Sequence, residues 1–326
     1  MTVIDFPSKN DLVIHFAHSA YRLAECFKAR ETGISCFQTW TPEDTVARMG
    51  EAPVAVMSGF WRDAFLDMPG ALRFVQVSAA GYDQFDQVRM AMGGLRLANA
   101  SGVNMNAVSD HAMALILGFM RQLHVARDNQ RKHLWRGMIS NLSEREDELA
   151  GRTVLIIGMG AIGQRVARLA KAFDMKVIGV RRNTAAIKGV VDEAHAPTAL
   201  PALWGRADFV VLTCPLTDET ANIVDAAALN AMADDAHLIN MARGGCVDEM
   251  ALIEGLRAGK IAGAGIDVTG EEPLAEDSPL WDFDNVILTP HTGGETRHYE
   301  ENVVDILIDN LGRLERGETK LYNQIV

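Results

Sequence analysis

The run Gly158-Met159-Gly160-Ala161-Ile162-Gly163 has G-x-G-x-x-G spacing, and its flanks give that spacing meaning. It closes the apolar stretch Val154-Leu155-Ile156-Ile157 and opens a helical pattern over residues 164–173. Strand, glycine turn and helix start, in that order, leave free backbone N–H groups where the phosphates of a dinucleotide would lie. Gly158 permits the tight turn. Gly160, lacking a Cβ, lets backbone approach a pyrophosphate, and Gly163 lets the helix pack close to the strand. Met159, Ala161 and Ile162 complete the loop. The next apolar stretch, residues 176–180, runs into Arg181-Arg182-Asn183, and no acid follows until Asp192. An NAD site expects Asp or Glu there to bind the ribose hydroxyls, whereas two guanidiniums suit a 2′-phosphate. NADP(H) is therefore the expected preference. NAD(H) stays possible if Arg181 or Arg182 only stacks on adenine.

Three further segments bring polar groups to the ends of apolar stretches. They are Ile239-Asn240-Met241-Ala242-Arg243-Gly244-Gly245, then Gly265-Ile266-Asp267 continuing to Glu272-Pro273, and Leu288-Thr289-Pro290-His291-Thr292-Gly293. Ligands of open α/β sheets bind at such strand carboxyl ends. The four cysteines, Cys26, Cys36, Cys214 and Cys246, form no C-x-x-C pair and stand at no metal-ligand spacing from histidine. They read as free thiols, and no metal is expected.

The elements that must position these groups alternate along the chain. Residues 12–17, 53–59, 73–79 and 96–101 read as strands, with helical spacing at 21–30. That alternation implies a parallel sheet with crossover helices. Residues 106–123 are apolar nearly all round and predict a buried helix, expected between domains. A more polar helical stretch follows to about residue 135. Strands resume at 153–158, 176–180, 207–214, 237–242, 262–268 and 285–290, with helices at 161–173, 225–232 and 249–259. Such a series suits a doubly wound dinucleotide-binding fold. A last helix is expected at 295–316.

A chain of 326 residues suggests two domains. Its 31 basic and 43 acidic residues, a net charge of −12, argue against nucleic acid, where phosphate neutralisation supplies most of the affinity. An anionic substrate would have to be drawn by local basic groups. There is no long apolar run to span a membrane. The opening residues Met1 to Pro7 carry an acid where a secretory leader needs basic residues, so the expected location is the cytoplasm.

Taken together, these segments resemble the D-isomer-specific 2-hydroxyacid dehydrogenase family, of the glyoxylate and hydroxypyruvate reductase kind, over nearly the whole chain. The resemblance also rests on Leu149-Ala150-Gly151-Arg152-Thr153-Val154, on Cys214-Pro215-Leu216-Thr217 with Thr220, and on Gly259-Lys260-Ile261-Ala262-Gly263-Ala264-Gly265-Ile266-Asp267-Val268. It implies an α/β protein with a doubly wound Rossmann domain at 103–294. A smaller flavodoxin-like substrate domain with a parallel sheet would be made of 1–102 and 295–326. It also implies a homodimer, with the apolar helix after Asn106 as part of the interface.

By this resemblance Arg243, Glu272 and His291 take the catalytic places. His291 would donate a proton as a ketone is reduced, and accept one in the reverse direction. Glu272 would bond the other ring nitrogen, orienting the imidazole and favouring its charged form. Arg243 would hold the substrate's carboxylate and keto group. Ala80 and Gly81, in Val77-Ser78-Ala79-Ala80-Gly81-Tyr82, would offer backbone N–H groups to that carboxylate. Tyr82 stands where many relatives have Val, and Asn104 is a weaker pocket candidate. Asp267 would contact the nicotinamide carboxamide. Cys214 through its backbone, Pro215, Thr220, Ala242, His291 and Gly293 would line the cofactor. In Val108-Ser109-Asp110-His111 the family more often has Glu at Asp110, and the segment reads as interdomain packing. Arg297 and His298 read as a solvated helix face. The implied activity is NAD(P)-dependent reduction of glyoxylate, hydroxypyruvate or a similar 2-keto acid to the D-2-hydroxy acid. Formate dehydrogenases pair His with Gln, so Glu272 argues against them. Two alternatives stay open: a phosphite-type dehydrogenase on the same scaffold, and a dinucleotide-sensing co-repressor that binds partner proteins.

Overall fold

A computed structural model describes residues 6–68, 70 and 72–326. Residues 1–5, on which most of the reading of the amino terminus rested, lie outside the described residues. The chain divides into two compact units, Met1–Asn104 with Thr296–Val326, and Met105–Glu295. Each is α/β with a wholly parallel sheet among the described residues.

The first unit contains β1 (Val13–Ala17), α1 (Leu23–Lys28), β2 (Ser35–Thr39), α2 (Pro42–Arg48), β3 (Val54–Met57), β4 (Phe74–Val77), α3 (Gln87–Met92) and β5 (Arg96–Ala98). The sheet runs β2-β1-β3-β4-β5, the flavodoxin-like order. β3 and β4 are buried at every position and apolar except at Gln76, whose amide donates to the carbonyls of Val77 and Ala98. β2 has no counterpart in the sequence reading. Its residues, Ser35-Cys36-Phe37-Gln38-Thr39, mix polar with apolar because it is an edge strand, mostly half-buried. The chain's last helix, Tyr299–Glu315, returns to this sheet and buries Val303, Val304, Leu307 and Leu311 against Ile14, Phe16, Val54 and Val56.

His15 lies in the middle of β1 with no exposed surface. Its Nε2 meets Thr39 Oγ1 at 2.8 Å, and that hydroxyl meets Thr45 Oγ1 at 2.8 Å. Its Nδ1 has no partner among the described residues. Burial lowers its pKa from 6.5 to about 4; Arg48 pushes the same way and Glu51 opposes. In the unfolded chain an ordinary histidine takes up its proton near pH 6.5, while the folded one stays neutral down to about 4. This contribution is thus complete above pH 6.5 and lost as pH falls toward 4. Between pH 7 and 5 the loss is about 2 kcal/mol. Urea unfolding should show His15→Gln losing about that much less stability than the parent over the same interval. Equal losses in the two proteins would refute the assignment.

The second unit contains α4 (Met105–Met120), α5 (Leu123–Arg131), β6 (Thr153–Ile157), α6 (Ala161–Ala172), β7 (Lys176–Val180), β8 (Glu193–His195), β9 (Phe209–Leu212), α7 (Ala226–Ala231), β10 (His237–Asn240), α8 (Glu249–Arg257), β11 (Gly263–Ile266) and β12 (Val286–Leu288). The last helix is then α9. The sheet order is β12-β11-β10-β9-β6-β7-β8. Strand order reverses between β6 and β9, and ligands of such sheets bind beyond the carboxyl ends at that switch point. β8 is short and polar, Glu193-Ala194-His195, and carries no strand signal in the sequence. Asp225 and Asp248 cap α7 and α8 by accepting N–H bonds from Ala228 and Ala251.

α4 is buried as its apolar sequence predicts. Its apolar residues Ala112, Met113, Leu115, Ile116 and Phe119 are buried inside this unit, in one cluster with Val166 and Ala170 of α6 and Ile239 of β10. Exposed apolar side chains appear further on instead, where Trp135 is 97% and Met138 99% exposed. No helix among the described residues is long and apolar enough to cross a membrane.

Candidate active site

The glycine turn follows directly from β6. Gly158 has φ +99°, and a Cβ there would lie 2.3 Å from the backbone nitrogen of Cys214 and 2.5 Å from its Cα. Only glycine fits between the ends of β6 and β9. At Gly163 a Cβ would meet the Gly158 carbonyl at 2.4 Å, so the first turn of α6 sits tight on the loop. Gly160 differs: nothing lies within 4 Å of its Cβ position. The turn is closed at Gly158 and Gly163 and open at Gly160, in front of the unsatisfied N–H groups of α6. That arrangement fits a pyrophosphate. Ala161 and Ile162 lie in that first turn of α6, and Met159 is fully buried beneath the loop.

The Met159 carbonyl accepts a bond from Arg181 Nη1 at 3.0 Å, which ties β7's end to the glycine turn. Arg182 is exposed. Asp192 accepts the Val177 N–H at 2.8 Å and meets Lys171 Nζ at 3.0 Å, so it is held at the amino end of β7, away from Arg181 and Arg182. The Val177 N–H is the main reason its pKa is lowered.

Cys214 is buried beside Cys246, whose hydrogen bond, together with burial, pushes the Cys214 thiol far above its usual range. A buried thiol held protonated in this way is a poor nucleophile. Thr220 folds its own loop, donating to the Pro215 carbonyl at 2.6 Å and accepting the Thr217 N–H at 2.7 Å.

At the end of β10, buried Asn240 pins the turn that carries Arg243. Its Oδ1 accepts the Ala242 N–H and its Nδ2 donates to the Arg243 carbonyl, both at 3.0 Å. Arg243 is half-buried, with Nη1 donating to the Ala242 carbonyl at 2.7 Å. A Cβ on Gly244 would stand 1.9 Å from the Thr269 carbonyl oxygen. The arginine turn therefore packs backbone to backbone on the loop after β11, and that loop bears Glu272. Glu272 Oε1 accepts the Thr269 N–H at 3.2 Å, and its Oε2 meets His291 Nδ1 at 2.8 Å. The side chains of His291 and Glu272 are 49% and 40% exposed. With Nδ1 engaged by Glu272, Nε2 is the ring nitrogen left without a hydrogen bond among the described residues. Their mutual attraction adds little stability at such exposure, so its value lies in orienting the ring.

His291 adopts φ +54°, uncommon for a residue with a side chain. Its N–H donates to the Asp267 carbonyl at 2.8 Å. The Asp267 side chain accepts from Thr289 Oγ1 at 2.5 Å and from the N–H groups of Thr292 and Gly293 at 3.1 Å. Asp267 is 5% exposed. A Cβ on Gly293 would come within 2.7 Å of its Oδ2. The residue given to the nicotinamide amide by resemblance thus also holds the turn of His291. Sequence reading missed Thr289 and His111 in this group. The available signals were a hydroxyl just before Pro290-His291 and a histidine on an otherwise apolar helix.

In the first unit, the segment after β4 is held from three sides. Tyr299 Oη donates to the Ser78 carbonyl at 3.0 Å, Asn99 Nδ2 to Ala80 O at 2.7 Å, and the Ala100 N–H to Ala79 O at 2.9 Å. The N–H groups of Ala80 and Gly81 have no acceptor among the described residues. Asn104 Oδ1 is buried without a partner among them. His298 pairs with Glu301 at 3.5 Å on an exposed face, and Arg297 is exposed.

Residues 113–293 match the family described as D-isomer specific 2-hydroxyacid dehydrogenase, NAD binding domain. A glyoxylate reductase of Pyrococcus furiosus is 37% identical over 76% of this chain and 74% of its own length. A glycerate dehydrogenase of Methylorubrum extorquens is 32% identical over 86% of this chain and 88% of its own. Among solved structures, an acyclic imino acid reductase in complex with NADPH and D-arginine superposes with a TM-score of 0.84 at 25% identity. That match covers 97% of this chain and all of the other. The glycine turn on a doubly wound sheet, the matched stretch and these relatives lead to one assignment: the chain belongs to the D-isomer specific 2-hydroxyacid dehydrogenase family and is a nicotinamide-dependent oxidoreductase acting on CH–OH groups.

Proposed function

We propose that the enzyme reduces glyoxylate, hydroxypyruvate or a 2-keto acid of similar size to the D-2-hydroxy acid, with NADPH preferred to NADH. The observation that carries this reading is the His291–Glu272 pair. Its 2.8 Å contact at Nδ1 leaves Nε2 to deliver a proton. Glyoxylate reductases among the relatives support the substrate class.

When bound, the nicotinamide supplies the hydride. The glycine turn and the first N–H groups of α6 would hold its pyrophosphate. His291 gives its Nε2 proton to the ketone oxygen as charge develops there, while Glu272 keeps the ring aligned. Arg243, on a turn fixed by Asn240 and Gly244, orients the substrate through its carboxylate and keto oxygen. The unpaired N–H groups of Ala80 and Gly81 suit a carboxylate, which supports the first unit as the substrate domain. Arg182 is the exposed guanidinium available to a 2′-phosphate, and the structurally similar imino acid reductase binds NADPH. The reading extends to a cytoplasmic homodimer, with exposed Trp135 and Met138 in the contact. Light scattering on the assayed sample should then give twice the chain mass.

The test follows nicotinamide absorbance with NADPH and NADH against glyoxylate, hydroxypyruvate, pyruvate, phenylpyruvate and a branched 2-keto acid. Phosphite is run in the oxidative direction. The smallest keto acids with NADPH should give the highest kcat/KM. Arg182→Ala should lower kcat/KM for NADPH about tenfold, in line with the loss of one charge-assisted hydrogen bond, and leave NADH nearly unchanged. Preference for NADH in the parent would sink the cofactor assignment. Turnover of phosphite alone would sink the substrate assignment.

A further inference from the structure

The clasp around the His291 turn has a member on α4 that the proposed mechanism does not use. His111 Nε2 lies 3.0 Å from Thr289 Oγ1. That hydroxyl spends its proton on Asp267 Oδ1 at 2.5 Å, so it must receive a hydrogen from His111. His111 therefore carries its proton on Nε2. The direction of the chain is then set: His111 donates to Thr289, and Thr289 donates to Asp267. Asp267 in turn receives the N–H groups of Thr292 and Gly293 on its side chain and that of His291 on its carbonyl. Residues 289, 291, 292 and 293 all hang from this one nearly buried acid. A left-handed conformation at a non-glycine residue persists only where the surroundings impose it, and His291 is in that conformation. α4 is a firm anchor, because Ala112, Leu115 and Ile116 around His111 are in the core.

We propose that His111 is a positioning residue for His291, acting through Thr289 and Asp267 to hold the turn in which the imidazole meets Glu272. The proposal rests on His291 as the proton donor. It assigns to a segment otherwise read as packing a part in aligning the proton transfer. A displacement of the ring by a fraction of an ångström is enough to slow such a step while leaving dinucleotide binding intact.

The experiment uses the full chain with Thr289→Val, Thr289→Ser, His111→Leu and His111→Gln. Thr289→Val and His111→Leu should lower kcat by about 10- to 100-fold, with KM for the keto acid and Kd for NADPH changed by no more than about twofold. Thr289→Ser keeps the hydroxyl and His111→Gln keeps an N–H donor, so both should recover to within about threefold of the parent. The second readout does not depend on turnover. In protein made with isotope-labelled histidine, the Cε1–H resonance of His291, assigned from its absence in His291→Ala, should move in Thr289→Val and return in Thr289→Ser. An unmoved resonance, an unchanged kcat in Thr289→Val, or equal damage from Ser and Val would each overturn the proposal. If the parent reduces no keto acid, the reading of function fails, and the resonance alone decides the clasp.

Discussion

His291→Ala should reduce kcat for keto-acid reduction by about 10²- to 10⁴-fold, the range lost when a positioned general acid is removed. Kd for NADPH should stay within about twofold, because on the proposed reading the glycine turn and α6, not the imidazole, hold the pyrophosphate. This split is the informative part. The His291 side chain is half exposed and its recorded hydrogen-bonding partner is Glu272, at 2.8 Å, so its removal leaves no buried group unpaired. The variant should therefore fold and melt like the parent. Glu272→Gln should give a smaller loss of kcat, since an amide can still accept from Nδ1 and orient the ring but places no negative charge beside it. A His291→Ala protein with parental kcat would remove the histidine from the chemistry. Parallel losses of kcat and dinucleotide affinity would make it chiefly a cofactor contact.

The second large effect separates two glycines of one loop. Gly158→Ala should be destabilised by about 3 kcal/mol or more, because it combines a positive φ with overlap onto backbone. Its Cβ would fall 2.3 Å from the nitrogen of Cys214, and neither β6 nor β9 can retreat, since both lie in the middle of the sheet. Gly160→Ala has open space for its Cβ. It should keep parental stability to within about 0.5 kcal/mol yet weaken NADPH by about tenfold or more, because the methyl would occupy the space through which, on the proposed reading, backbone approaches the pyrophosphate. Thermal melting and a cofactor titration on both proteins measure the contrast. Normal NADPH affinity in Gly160→Ala would move the pyrophosphate off this loop. Normal stability in Gly158→Ala would contradict the packing at the switch point.

Several elements were legible because their burial leaves a one-dimensional trace. β3 and β9 are apolar throughout, and β4 and β6 nearly so, with Gln76 and Thr153 the exceptions, since parallel strands covered on both faces favour apolar residues. The edge strands β2 and β8 escaped notice for the converse reason: a half-covered edge strand tolerates Ser35, Gln38 and Glu193. The apolar character of α4 announced burial but not the partner. Only packing shows that α6 and β10 cover it within its own unit.

The sequence by itself determined the α/β class, the parallel sheets and the glycine turn, because hydrophobic period and glycine spacing are local consequences of backbone geometry. It also marked Arg243, Glu272 and His291 through family resemblance. The tertiary structure alone decided that Gly244 locks the arginine turn onto the loop of Glu272, and that Asp192 faces the amino end of β7. It alone showed that His111, Thr289 and Asp267 converge on the turn of His291. These depend on through-space distances between residues as much as 178 positions apart in sequence. No local pattern encodes such a distance, because it is set by how strands and helices stack.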